Sequence, residues 1–198
     1  MPKSVNREHW LNQAVDIMRP WFDDYETVVD MRTEPIHVSC GWTKGRTDMA
    51  IGQCWYKGAC ADESKAVHNI FICPTQDEPL RVLDILLHEL IHVAAGPEQG
   101  HRGMFRYIAL DLGLEGKMTA TYVSDDNPLR AKLQLIIEQI GEYPHSSLRK
   151  PQKKAANKGK WVRLRSVKDE TYTLVISPKS IEEVGYPRDP WNIMMVPK

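Results

Sequence analysis

The apolar positions of this chain repeat with two different periods, and each period predicts a different kind of element. Apolar residues three or four positions apart, bounded by capping residues, predict amphipathic helices. These helices are expected at residues 6–22, 79–95, 101–113 and 127–141. Short runs rich in β-branched and aromatic residues, broken by glycines, predict strands. The strands are expected at residues 35–42, 50–56, 68–73, 161–165 and 171–176.

The order of these elements predicts an α+β fold with a small β appendage. We expect a small antiparallel sheet packed on the helices at 79–95 and 101–113. The 198 residues suffice for one compact domain and a minor second unit. The predicted organisation is a main domain over 1–145, a basic linker over 146–160 and a β-rich unit over 161–198.

Composition narrows the class of protein. The 26 basic and 26 acidic residues give a formal net charge of zero, so nucleic-acid affinity would need a local patch. No apolar run approaches the length of a membrane span, and residues 1–8 are polar without a signal-like core. We therefore expect a cytoplasmic protein with no membrane partner. The four cysteines, at 40, 54, 60 and 73, match no zinc-knuckle spacing and are expected to be reduced.

The strongest chemical signal is His88-Glu89-Leu90-Ile91-His92 on a predicted helix. Positions i and i+4 lie one turn apart on the same helix face, so His88 and His92 can bind one metal ion. Glu89 lies about 100° further round the helix, where its carboxylate can act as a general base toward water.

A catalytic zinc keeps three protein ligands and leaves one position open. Metzincin spacing would require glycine and histidine where this chain has Ala95 and Glu98, so that class is excluded. Glu98 and Glu115 are available as a third ligand, but His101, next to Gly100 at the entry of the following helix, is the better candidate.

A basic stretch separates the last predicted helix from the C-terminal strands. Residues 149–165 hold eight Lys or Arg and no acidic residue. Such a run can contact phosphate backbones, with Trp161 available for stacking, or it can be a solvated linker. The candidate nucleic-acid contacts are Lys150, Lys153, Lys154, Lys158, Lys160, Arg163 and Arg165.

Three stretches together resemble the SprT-like zinc metallopeptidase domain, a family that includes the Spartan proteases of DNA–protein crosslink repair. They are Ile70-Phe71-Ile72-Cys73-Pro74, the helix from Val82 to His92, and Gly100-His101-Arg102-Gly103-Met104-Phe105. The resemblance covers residues from about 30 to 125, and residues 113–121 look like phage and prophage members.

This resemblance implies a zincin-like fold, peptide-bond hydrolysis and association with DNA. It carries over His88, His92 and His101 as ligands of Zn²⁺ and Glu89 as the catalytic base. One departure concerns the C-terminal unit: SprT-like proteins often continue into a four-cysteine zinc ribbon, whereas this chain has no cysteine after Cys73. Residues 161–198 therefore look like a ribbon without its metal.

The expected function is that of a zinc metalloendopeptidase cleaving DNA-associated proteins, in the cytoplasm, at the nucleoid or in a phage-infected host. Two alternatives remain at this point. The protein could be a nucleic-acid-associated regulator with a structural or vestigial zinc site, or it could hydrolyse a non-peptide amide. Tyr107 and Tyr122 are candidate donors to the oxyanion of the transition state.

Overall fold

The computed structural model describes residues 6–43, 50–149 and 161–198. The chain divides into two compact units, unit 1 (Met1–Pro151) and unit 2 (Gln152–Lys198). The division falls within the predicted linker at 146–160, of which residues 150–160 lie outside the described residues. Each unit is described below by itself.

Four helices build unit 1, close to where their periodicity predicts them. Their bounds are Arg7–Met18 (α1), Pro79–Ala95 (α2), Gly103–Leu112 (α3) and Pro128–Ile140 (α4). The predicted helix at 6–22 continues past α1 only as a 3₁₀ turn, Arg19–Phe22, which contains Pro20. The Glu78 carboxylate caps α2 by accepting hydrogen bonds from the Leu80 and Arg81 N–H groups, and Pro79 occupies the first turn.

Three strands form the main sheet, in the order β1 (Ile36–Cys40), β3 (His68–Ile72), β2 (Gly52–Trp55). The predicted antiparallel sheet is wrong in one respect: β1 and β3 run parallel, and only β2 and β3 are antiparallel. Strands β1 and β2 follow each other in the sequence but do not pair, because β3 lies between them in the sheet. Alternation of apolar residues indicates that a segment is a strand, but it does not indicate which strand becomes its neighbour.

Helix α2 is the centre of unit 1. It contacts the other three helices, β2 and β3, and most of its side chains are buried. Leu83, Leu86, Leu87, Leu90 and Ile91 have no exposed area. Burying a side chain of this size contributes roughly 1.5–3 kcal/mol. A helix embedded in this way holds its polar side chains in fixed positions.

A short hairpin that the sequence did not predict follows α3. Its strands are β4 (Glu115–Lys117) and β5 (Ala120–Tyr122), and β5 contacts α2. Gly116 has a φ of +86°, and a Cβ there would lie 2.7 Å from the Tyr122 ring. The hairpin escapes prediction because its strands have three residues each and show no apolar alternation.

Unit 2 is a small β structure with one helix. Its sheet has the order β7 (Thr173–Ile176), β6 (Val162–Arg165), β8 (Val196–Pro197), with antiparallel pairing throughout. The helix α5 (Pro178–Val184) was not predicted. The buried residues of unit 2 include the apolar Leu164 and Met195 and the polar Ser166 and Asp189. No helix in the described ranges has the length and apolar character needed to cross a membrane.

Candidate metal centre

Three imidazoles converge in unit 1. The geometry of α2 places His88 and His92 one turn apart, and a 3₁₀ turn after Gly96 returns the chain so that His101 faces them from the segment before α3. The Nε2 atom of His101 lies 3.2 Å from Nε2 of His92 and 3.3 Å from Nε2 of His88. These three side chains could hold a metal ion.

The spacing fits a tetrahedral ion. With metal–nitrogen bonds of about 2.0–2.1 Å, tetrahedral geometry separates two ligand nitrogens by about 3.3–3.4 Å. Burial, with smaller effects from the neighbouring imidazoles, lowers the pKa of His88 to about 3 and that of His92 to about 4. Burial also lowers the pKa of His101. All three rings are therefore neutral near pH 7, as metal ligands must be.

Phe105 fixes the orientation of all three rings. It is fully buried on α3, and its ring centroid lies 4.4 Å from that of His92 and 5.0 Å from those of His88 and His101. Because one aromatic side chain touches every imidazole, the cluster is packed as a unit with α3.

A second layer of polar contacts orients His88. Its Nδ1 lies 2.9 Å from the Thr121 hydroxyl on β5, which leaves Nε2 to face the other imidazoles. The Arg81 guanidinium donates to the Thr121 carbonyl at 3.0 Å and to both Asp84 oxygens at 2.6 and 2.8 Å. Burial raises the pKa of Asp84 to about 6, although Arg81 opposes this effect. Arg81 thus ties the hairpin to α2.

Glu89 is buried beside the histidines with its carboxylate against the main sheet. Burial raises its pKa to about 8. The carboxylate lies against Gly52 of β2, where a Cβ would be 3.0 Å from Cδ of Glu89 and 2.7 Å from Cγ2 of Ile85. Position 52 therefore has no room for a side chain. A glycine inside a predicted strand is a recognised sign of such a close approach, and it could have identified Gly52 from the sequence.

These groups line one cleft of about 560 Å³. Residues of β2, the segment from Thr119 to Thr121 and the three histidines all line this cleft. Tyr56, directly after β2, also lines the cleft, and nothing in the sequence distinguished it. Thr121 gave no sequence signal either, because it lies on the hairpin that was not predicted.

Other predicted candidates lie elsewhere. Glu98 is exposed, and Glu115 accepts a hydrogen bond from the Ser124 N–H at 2.8 Å. Tyr107 is 59% exposed and packs edge-on against Tyr25. Tyr122 is 50% exposed over Gly116.

Of the basic residues predicted to contact nucleic acid, two lie among the described residues. In unit 2, Arg163 is exposed, whereas Arg165 forms an ion pair with Glu170. The other five lie outside the described residues: Lys150, Lys153, Lys154, Lys158 and Lys160.

Comparisons with protein-family models, with curated proteins and with solved structures find no match for this chain.

Proposed function

We propose that this protein is a zinc-dependent metalloendopeptidase of the SprT-like type, with a zincin-like catalytic domain in unit 1. The observation that carries the proposal is the convergence of His88, His92 and His101 next to the buried carboxylate of Glu89 in one cleft. Three protein ligands beside an accessible cleft are the arrangement of a hydrolytic zinc site rather than of a closed structural one.

The residues of the cleft would have different roles in hydrolysis. Zinc, when held by the three imidazoles, supplies a Lewis acid that polarises a carbonyl and acidifies water. Glu89 takes a proton from the attacking water and returns it to the leaving amine. Burial raises the pKa of the Glu89 carboxyl to about 8, which strengthens it as the acceptor of a proton from the attacking water. Thr121 contacts Nδ1 of His88, so that Nε2 faces the other imidazoles and would be free to bind the metal.

Strand β2 lies at the edge of the main sheet as far as the described residues show, and this edge supports an extended peptide as the substrate. Gly52 lies opposite Ile72, and the Cys73 N–H donates to the Ile51 carbonyl at 2.9 Å. Because antiparallel strands alternate their hydrogen bonds, the N–H and C=O groups of Gly52 and Cys54 point away from β3. They can pair with a peptide lying along the cleft, which favours a peptide over a small amide as substrate.

Association with DNA is the second part of the proposal. It rests on the resemblance and on the basic stretch from Arg149 to Arg165. The alternative is a regulatory protein with a structural or vestigial zinc. The open cleft and the placement of Glu89 favour hydrolysis over that alternative.

The test combines zinc analysis with cleavage assays on a DNA-bound protein substrate, with and without DNA. We expect one zinc per chain and cleavage by the wild type. Glu89→Gln should lose cleavage and keep its zinc, because Glu89 is not a ligand, whereas the exposed control Glu98→Gln should retain both. Full activity in Glu89→Gln, or a purified protein without stoichiometric zinc, would contradict the mechanism.

A further inference from the structure

Tyr56 is a cleft residue that the mechanism above does not use. It follows β2 directly, and its half-buried side chain lines the same cleft as His88, Glu89 and His101. Burial, with smaller contributions from the Cys54 thiol and the Glu89 carboxylate, raises the pKa of the Tyr56 phenol. The phenol is therefore protonated and available as a hydrogen-bond donor near neutral pH.

A buried polar cluster holds Tyr56 in place. Its ring packs edge-on against His68, with centroids 6.0 Å apart. His68 is 3% exposed, and its Nε2 lies 3.2 Å from Oε1 of Glu34. The next residue, Lys57, forms an ion pair with the same carboxylate oxygen at 2.7 Å. Both the ring of Tyr56 and the backbone after it are thus anchored to one buried group.

The hydroxyl of Tyr56 makes no hydrogen bond to another described residue. By contrast, the Thr121 hydroxyl, which lines the same cleft, is engaged with His88. Gln53 of β2 lines the same cleft. Amide hydrolysis requires a donor where negative charge develops on the carbonyl oxygen.

We propose that Tyr56 is a further catalytic residue, whose hydroxyl donates a hydrogen bond to the oxyanion formed from the scissile carbonyl. The inference rests on the proposed function. The water oxygen bonds to the carbonyl carbon while its proton passes to Glu89, and the C=O π pair moves to the oxygen facing Tyr56. As the C–N bond breaks, that pair reforms the carbonyl and the proton on Glu89 passes to the amine. Tyr56 keeps its proton throughout.

The first test is Tyr56→Phe in the zinc-loaded full chain. This change removes one oxygen atom and leaves the ring on His68. We expect kcat to fall about 10²- to 10³-fold, with KM and zinc content nearly unchanged, because the hydroxyl acts only as charge develops. Tyr107→Phe and Tyr122→Phe are the matched controls and should keep wild-type kcat, since both rings lie on exposed surfaces elsewhere in unit 1.

The second test needs no turnover. Acetohydroxamate binds active-site zinc and presents an oxygen that can accept the same hydrogen bond. We expect its affinity for zinc-loaded protein to fall roughly 2- to 10-fold in Tyr56→Phe, the value of one hydrogen bond, and to be unchanged in both controls.

The outcomes separate the two ideas. If Tyr56→Phe keeps both kcat and hydroxamate affinity, the inference on Tyr56 is overturned and the proposed function stands. If the wild type cleaves no peptide but Tyr56→Phe weakens hydroxamate binding, the proposed function fails together with the role of Tyr56 in peptide hydrolysis, and only its role as a hydrogen-bond donor in the cleft stands. A wild-type protein that neither cleaves peptide nor binds the hydroxamate overturns both.

Discussion

In unit 1 three imidazoles direct their nitrogens at one another, whereas the polar centre of unit 2 is a hydrogen bond between two buried side chains. The Ser166 hydroxyl donates to Oδ2 of Asp189 at 2.5 Å. In unit 1 the converging groups are three imidazole nitrogens that could hold a metal ion between them. In unit 2 donor and acceptor satisfy each other.

The details of unit 2 extend this contrast. The Ser166 Oγ accepts hydrogen bonds from the N–H groups of Lys168 and Asp169 at 3.1 and 3.2 Å. Oδ1 of Asp189 accepts from the N–H groups of Trp191 and Ile193 at 3.0 and 2.8 Å. Two loops are therefore each organised around one side chain and joined by one hydrogen bond. Hydrogen bonds between side chains and backbone thus hold these loops of unit 2 together.

Metal removal should give the largest difference between the units. Zinc present at 100 times its Kd would stabilise the folded state of unit 1 by about 2.7 kcal/mol, because a ligand that binds only the folded state shifts the unfolding equilibrium. Chelation of zinc should therefore lower protection against hydrogen exchange in α2 and α3, and leave β6 and β7 unchanged. Hydrogen exchange resolved by segment measures both in one sample. Equal loss of protection in the two units would show that unit 2 also depends on the metal.

Gly52→Ala should have a smaller effect on stability but a marked effect on activity. The new methyl group would meet the Glu89 carboxylate and Ile85, at an expected cost of about 1–3 kcal/mol in the free energy of unfolding. Displacing the base by about 1 Å should lower kcat roughly 10²-fold while zinc is retained. Thermal melts, zinc content and kcat are the measurements.

The matched control for that substitution is Gly58→Ala. A Cβ at position 58 meets no atom of the described residues within 4 Å. This variant should keep both stability and activity. If Gly52→Ala behaves like Gly58→Ala, the close packing of β2 on Glu89 does not position the base.

The smallest expected effect is the acid sensitivity of unit 2. Burial alone would raise the pKa of Asp189, but hydrogen bonds from Ser166, Ile193 and Trp191 lower it below the ordinary value. A group with a lowered folded-state pKa contributes stability above its unfolded pKa and loses it as pH falls through the folded pKa. Unit 2 should therefore lose stability below about pH 4, the ordinary pKa of aspartate.

Asp189→Asn tests this assignment. The amide cannot titrate, so the variant should start less stable at neutral pH and show a flatter stability profile between about pH 4 and pH 2. Unfolding of unit 2 followed by Trp161 and Trp191 fluorescence across this range measures it. An unchanged acid profile would assign the sensitivity to another carboxylate.

The sequence predicts the residues of the site whose positions depend on neighbours along the chain. Helical spacing alone places His88 and His92 on one face of α2. Gly96 ends this helix, and the short turn that follows brings His101 back to them. The partner order of strands is a non-local property, so the parallel pairing of β1 with β3 was missed. Thr121 was missed for a related reason: its role depends on how a short polar hairpin docks on α2.

The position of β2 at the edge of the main sheet has a consequence for the selectivity of the proposed peptidase. In the proposed binding mode, the backbone N–H and C=O groups of Gly52 and Cys54 would pair with the peptide, and every amino acid offers matching partners. A peptide held in this way is selected by its conformation more than by its side chains. Folded domains would be spared because their backbones are already paired, and cleavage would fall on segments that can straighten and enter the cleft.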